Sequence, residues 1–271
     1  MPELPEVETV VRGLRQPLTG RTVRSMWQDC ARTIRFADPD EFAARITGQT
    51  FRSISRRAKY ILCQLDHDLL VVHLRMTGRL YVVPDDLVSE ADRWLHFSLQ
   101  LDNGTQLRFS DARKFGIVAL TPSFDLIAPA LGPEPLGDDF TPEILRERLA
   151  RHGKNIKALL LDQAFVAGVG NIYADEALHR AQISPLRPAN QLIDPEIRAL
   201  HAAIRDALNA GIIQEGASVS WYRKADGTTG EAQNYLHVYG RDGESCERCG
   251  ETIVKIRVAQ RGTHYCPACQ T

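Results

Sequence analysis

Residues 246–271 read CERCGETIVKIRVAQRGTHYCPACQT, and within them the pairs Cys246/Cys249 and Cys266/Cys269 are separated by sixteen residues. Two Cys-x-x-Cys knuckles at this spacing predict a zinc site. Four thiolates close a tetrahedral ion and leave no open position for a substrate, so the metal is structural. The module is too small to fold on its own core, and metal binding supplies its folding energy. A disulfide pair is the alternative, and nothing in the chain indicates secretion. Between the knuckles, polarity alternates on both sides of Arg261-Gly262. That pattern predicts a β-hairpin with Arg261 at its tip. A guanidinium held there suits phosphate binding, although a solvated tip arginine fits the pattern equally well. Cys30 and Cys63 stand alone and read as buried thiols.

Working back from the knuckles, residues 216–233 form a loop with few apolar side chains. Before it, residues 141–150, 156–164, 172–181 and 195–210 carry helical periodicity. The third of these opens from the glycine-rich turn VAGVGNIYADE at 166–176. Asn171 is placed to cap that helix, and the amides behind it suit a phosphate. Lys157, one helix earlier, is within reach of the same phosphate. A tight helix–helix corner is the alternative for the glycines. Residues 129–137, PALGPEPLG, read as a linker.

Residues 60–65, 69–74, 80–83, 96–101, 105–109 and 116–120 are short β-rich runs separated by turn signals. Asp102-Asn103-Gly104 is the clearest of those signals. This pattern predicts an antiparallel β-sandwich. Ahead of it, Val7, Val10, Val11 and Leu14 form one apolar face, which predicts a helix over 5–14 stopped by Pro17 and Gly20.

The chain opens Met1-Pro2-Glu3-Leu4-Pro5-Glu6. Initiator methionine is normally removed before proline, which would leave a secondary amine beside a carboxylate. An α-amino group has a pKa near ~7.7–8.0, well below lysine at ~10.4, so part of it is neutral and nucleophilic at cellular pH. Attack on a sugar aldehyde carbon gives an iminium. The plain alternative is a pair of prolines opening a helix.

With 271 residues, two domains are expected; 44% hydrophobic and 25% charged residues are ordinary globular values. No run approaches the ~18 apolar residues of a membrane span. The acidic start is not a signal peptide, and a cytoplasmic location is expected. The net charge of −1 argues mildly against nucleic acid, but its distribution argues otherwise. Arg52, Arg56, Arg57 and Lys59 form one basic stretch, Arg75 and Arg79 flank Met76, and Arg108, Arg113 and Lys114 surround Asp111. A basic face of this kind suits phosphates; a mixed solvated surface is the alternative.

Taken together, PELPEVET, the stretch around Lys59, HLRMTG, DARKFG, GVGNIYADE and the terminal cysteines resemble the bacterial formamidopyrimidine-DNA glycosylase family over essentially the whole chain. The related endonuclease VIII branch commonly opens PEG, so PEL favours the oxidised-purine branch. The resemblance implies a multi-domain α+β fold. Its parts are an N-terminal antiparallel β-sandwich with a leading helix (2–130), a helix–two-turns–helix domain with a lesion-capping loop (138–235) and a zinc-finger β-hairpin (236–271). It implies a monomer acting on damaged double-stranded DNA, reaching the nucleoid through that DNA, with one structural Zn2+.

By the same likeness Pro2 is the nucleophile, Glu3 transfers protons, Lys59 contacts phosphate and assists elimination, and Arg261 grips the phosphates flanking the lesion. His73, Lys157 and Asn171 match phosphate ligands. Met76, Arg113 and Phe115 match the residues that fill the gap left by an extruded nucleotide, as base flipping requires. The loop 216–233 resembles the segment that closes over the extruded base.

Two departures stand out. Trp94 occupies a position where the family often has histidine, which weakens the DNA contact that the likeness implies for His96, and Ala112 replaces a frequent proline. The expected activity is excision of 8-oxoguanine and formamidopyrimidines with abasic-site lyase chemistry. A glycosylase for oxidised pyrimidines and a non-catalytic zinc-ribbon DNA-binding protein are the alternatives.

Overall fold

The computed structural model describes residues 1–219 and 221–271; Ser220, inside the loop 216–233, lies outside the described residues. The chain forms two compact units, Met1–Pro129 with Gln214–Glu231, and Ala130–Ile213 with Ala232–Thr271.

The first unit begins with helix α1, Leu4–Leu18, which buries Leu4, Val7, Val10, Val11, Leu14 and Leu18. The helix runs four residues past the expected end and includes Pro17. Proline this close to the C-terminus forfeits only its own amide bond, and Thr19 N closes the last turn on Arg15 O at 3.0 Å.

Next come β1 (Val23–Gln28), β2 (Ile34–Arg35), helix α2 (Pro39–Ile46), β3 (Ser53–Arg57), β4 (Tyr60–Gln64) and β5 (Leu69–His73). They are followed by β6 (Gly78–Pro84), β7 (Leu95–Leu101), β8 (Thr105–Asp111) and β9 (Ile117–Thr121). One sheet has the order β1-β7-β8-β6 and the other β2-β9-β5-β4-β3. All pairings are antiparallel except the two-residue β2, which runs parallel to β9. Side chains of both sheets and of α1 and α2 share one apolar core, including Phe42, Ile61, Val72, Phe97, Phe109 and Val118.

The second unit holds helices α3 (Pro142–Ala150), α4 (Ile156–Leu160), α5 (Asn171–Ala181) and α6 (Asp194–Ile213), then the hairpin β10 (Val254–Val258) and β11 (Arg261–Tyr265). Helix α4 is shorter than the periodicity predicts. Beyond it the Asp162 side chain accepts the Ala164 amide at 3.0 Å, a local turn that competes with further helix. No helix among the described residues is long and apolar enough to cross a membrane.

Candidate active site and nucleic-acid interface

In the first unit, Pro2 and Glu3 are buried at the start of α1. Glu3 is the N-cap, and a capping box pairs its side chain with the Glu6 amide and the Glu6 side chain with the Glu3 amide. The second bond is 2.7 Å long. The other oxygen of Glu6 accepts the Ala217 amide at 2.8 Å. Glu6 thus joins the chain start to the segment Gln214–Glu231, whose ends close through Glu231 N and Gln214 O at 2.8 Å. Tyr222 of that segment is buried in the core, and its hydroxyl donates to Glu215 O at 3.0 Å.

Lys59 occupies a two-residue turn between β3 and β4 and is 4% exposed. Ala58 before it is left-handed at φ 54. Arg56 holds this turn, donating to Ala58 O at 3.0 Å and to Glu8 of α1 at 3.2 Å. His73 pairs with Tyr60 just after the turn, ring edge to ring face at 4.6 Å. Burial, then the charges of Arg75 and Lys59, push the His73 imidazole down to about 3. It is therefore neutral, and its Nδ1 accepts the Arg75 amide at 3.0 Å, which leaves the proton on Nε2.

Met76 and the pair Arg113/Phe115 lie on two loops that one carboxylate ties together. Asp111 accepts the Thr77 hydroxyl on one side, and the amides of Arg113, Phe115 and Gly116 on the other at 3.2, 2.8 and 2.7 Å. Gly116 is required there, because a Cβ would stand 2.3 Å from the Phe109 ring. The Arg113 guanidinium lies over the Phe115 ring at 4.7 Å, and both side chains are exposed. A cation and an aromatic ring are thus presented together on a tied loop. The charge cluster around Asp111 is visible in the sequence; its role as the knot between two loops is not. His96 is buried, with Nδ1 2.7 Å from Asp29 Oδ1.

In the second unit, the Lys157 ammonium is fully buried, bonded to Asp175 and, at 3.1 Å, to Asn171 O. The other Asp175 oxygen accepts the His264 amide of β11 at 3.0 Å. Asn171 does not cap α5 as expected: Gly170 is the N-cap and Asn171 the first helical residue. The Asn171 side chain instead donates to Gly262 O at 2.9 Å. Arg261 is exposed and is not the hairpin tip; it pairs with Val258 as the first residue of β11. The tip is Ala259-Gln260, both left-handed at φ 48 and 61. A two-residue turn with both φ positive matches the strand twist, and without glycine or asparagine it carries strain. Strand β11 is thus pinned just beyond Arg261, at Gly262 by Asn171 and at His264 by Asp175.

The four sulfurs of Cys246, Cys249, Cys266 and Cys269 lie within 4.8 Å of one another. A tetrahedral zinc with bonds of ~2.3 Å sets its sulfurs roughly 3.8 Å apart. The Cys246–Cys269 and Cys249–Cys266 separations, 3.9 and 3.5 Å, fit. The site takes one structural Zn2+. His179 Nε2 lies 3.5 Å from the Cys246 sulfur and orients it from outside. No sequence pattern pointed to His179. The Glu176 carboxylate beside it accepts the amides of His237, Val238 and Tyr239 ahead of the first knuckle at 2.9–3.1 Å.

A two-sheet sandwich, a helical unit and a four-cysteine hairpin define a class of multi-domain zinc-finger protein. Family models narrow that class: formamidopyrimidine-DNA glycosylase N-terminal domain over residues 1–118, its H2TH domain over 131–223, and the zinc finger found in FPG and IleRS over 243–271. A formamidopyrimidine-DNA glycosylase of Herpetosiphon aurantiacus is 50% identical over 100% of both chains. One of Chloroflexus aurantiacus is 49% identical over 100% of this chain and 98% of its own. A crystal structure of a Lactococcus lactis FPG mutant with Fapy-dG-containing DNA superposes with TM-score 0.92 at 40% identity, covering 100% of both chains. The chain belongs to the formamidopyrimidine-DNA glycosylase family.

Proposed function

We propose that the chain excises oxidised purines, 8-oxoguanine and formamidopyrimidines, from duplex DNA and then cleaves the strand as an abasic-site lyase. The observation that carries this reading is the buried Pro2-Glu3 pair, held by Glu6, in a chain that matches the family from end to end.

With Met1 removed, the Pro2 nitrogen attacks C1′ and the bond to the damaged base breaks; the base leaves with a proton. Glu3 delivers a proton to the sugar ring oxygen, and the ring opens to an iminium. Loss of a C2′ proton expels the 3′ phosphate, and loss of a C4′ proton expels the 5′ phosphate, leaving a one-nucleoside gap. Each step needs proton transfer and stabilisation of phosphate charge. Lys59 assists elimination and binds phosphate, Arg261 grips the phosphates beside the lesion, and His73 donates to phosphate from Nε2. Met76, Arg113 and Phe115 fill the gap in the stack. Lys157 and Asn171 serve the phosphate contact by fixing the start of α5 and the strand that bears Arg261. We assign no contact to His96, whose acidic partner Asp29 would repel phosphate.

The zinc holds the hairpin and takes no part in these steps. We assign residues 2–130 to catalysis, 138–235 to DNA binding and base capping, and 236–271 to the zinc finger, in a cytoplasmic monomer bound to the nucleoid through DNA.

Base release from duplexes carrying 8-oxoguanine, a formamidopyrimidine or an oxidised pyrimidine tests the reading. Release of the two purine lesions, with phosphate left on both sides of the gap, is expected. Preferential release of the pyrimidine lesion would contradict the substrate assignment.

A further inference from the structure

Trp221 and Tyr222 are neighbours on the segment Gln214–Glu231 and face opposite ways. Tyr222 is 6% exposed in the core, whereas Trp221 is 49% exposed. The Trp221 ring meets Trp94 edge to face, centroids 5.6 Å apart and planes at 84°. Both rings line a recess of about 290 Å³, together with Thr77, Arg79, Asp111 and Arg223.

The two tryptophans stand on different supports. Trp94 ends a short 3-10 turn, Glu90–Trp94, that is closed by a capping box between Ser89 and Asp92. The Asp92 carboxylate is also bonded to Tyr81 of β6 and Arg108 of β8, each at 2.8 Å. The Arg93 guanidinium lies over the Trp94 ring at 5.4 Å. Trp94 is therefore fixed to the sheet. Trp221 rides on a loop that is also tied down by the bond from Ala217 to Glu6, by the buried Tyr222 and by Ala225, which packs against the core. Farther along that loop, a Cβ on Gly227 would lie 3.5 Å from Arg79 Nη2, so the loop's turn also rests over the recess. An aromatic pair between a rigid turn and a loop biases the loop toward one seat.

We propose that Trp94 is a positioning residue for base excision: its ring seats Trp221 and thereby holds the segment Gln214–Glu231 in the conformation that covers the extruded base. This rests on the reading of that segment as the base-covering loop. The chemistry of base release needs the cover, whereas elimination at a site that has already lost its base does not. An edge-to-face pair commonly biases a population by roughly 3- to 10-fold, and the rate of base release is expected to fall by that factor when the pair is lost.

The test measures two single-turnover rates, base release from an 8-oxoguanine duplex and strand cleavage of a duplex with a preformed abasic site. The proteins are wild type, W94A, W94F, W221A and the double variant W94A/W221A. W94A and W221A are expected to slow base release and leave strand cleavage unchanged. W94F is expected to restore most of the rate, and the double variant to be no slower than W221A. Wild-type base release by W94A alongside a slow W221A would overturn the role of Trp94 and leave the base-covering reading standing. Wild-type base release by both would overturn the base-covering reading as well. Equal slowing of both rates by W94A would overturn the proposal by placing the residue in general folding or binding.

Discussion

The Glu6 carboxylate bonds the amide of Ala217 across a sequence separation of 211 residues, with the two atoms 2.8 Å apart. Its second oxygen takes the Glu3 amide at 2.7 Å, so one buried group, 1% exposed, sets both the neighbour of Pro2 and the base of the Gln214–Glu231 loop. The substitution E6Q turns one of these acceptors into a donor that faces an amide N–H. A buried group left in that state costs roughly 1–3 kcal/mol. Urea denaturation is expected to detect that loss, and base release is expected to slow together with strand cleavage, because the chain start moves with the loop.

Asp111 invites a parallel experiment. D111N places an amide nitrogen among the amides of Arg113, Phe115 and Gly116 and the Thr77 hydroxyl. The loops that carry Met76 and the pair Arg113/Phe115 lose their common tie. Affinity for a lesion duplex is expected to fall by about tenfold or more, the equivalent of ~1.4 kcal/mol. Fluorescence anisotropy with labelled duplex reads it directly; unchanged affinity would mean the loops hold without the knot.

His73 makes stability pH-dependent with a defined sign. Its folded pKa is depressed to about 3 from 6.5, because burial and the charges of Arg75 and Lys59 disfavour the imidazolium. The stability it contributes is present above pH 6.5 and is lost as pH falls from 6.5 toward 3. Each unit within that window costs up to about 1.4 kcal/mol. Urea melts at pH 6.5 and 5 are expected to show wild type losing about 2 kcal/mol more than H73Q. Equal losses would mean that His73 takes up its proton in the folded protein as readily as in the unfolded chain, so that burial does not depress it.

Asp175 links a buried ammonium to the zinc hairpin. D175N removes the carboxylate from Lys157, and breaking a buried ion pair from one side commonly costs ~3–5 kcal/mol. It also weakens the bond to the His264 amide. A lower melting temperature and weaker duplex binding are expected, with one zinc per chain retained by elemental analysis. Zinc removal by a chelator is expected to abolish binding by unfolding the hairpin, since the metal supplies its folding energy.

Legibility in the sequence followed the range of the interactions involved. Strands β4 to β9 were readable because turn residues such as Asp102-Asn103-Gly104 punctuate alternating runs. The cysteines were readable because zinc fixes their spacing. Strand β3 was hidden because Ser53–Arg57 reads as a basic stretch; its Ile54 is the lone buried side chain. Helix α2 went unread although Asp38 caps it through the Asp40 amide, ahead of Pro39. The site's supporting bonds were out of reach altogether. Glu6 to Ala217, Asp175 to His264 and Glu176 to Val238 join residues far apart in sequence, and no local pattern marks them. Lys157 and Asn171 show the consequence: their identity pointed to phosphate, and only the fold shows them engaged with Asp175 and Gly262.

The central claim is that Pro2 is a nucleophile, and borohydride trapping on a duplex with 8-oxoguanine opposite cytosine tests it most directly. The account predicts a covalent adduct whose cross-linked peptide, by mass spectrometry, begins at Pro2 and carries the sugar on its nitrogen. An adduct on Lys59, or none from protein shown to lack Met1 and to bind the duplex, would contradict it.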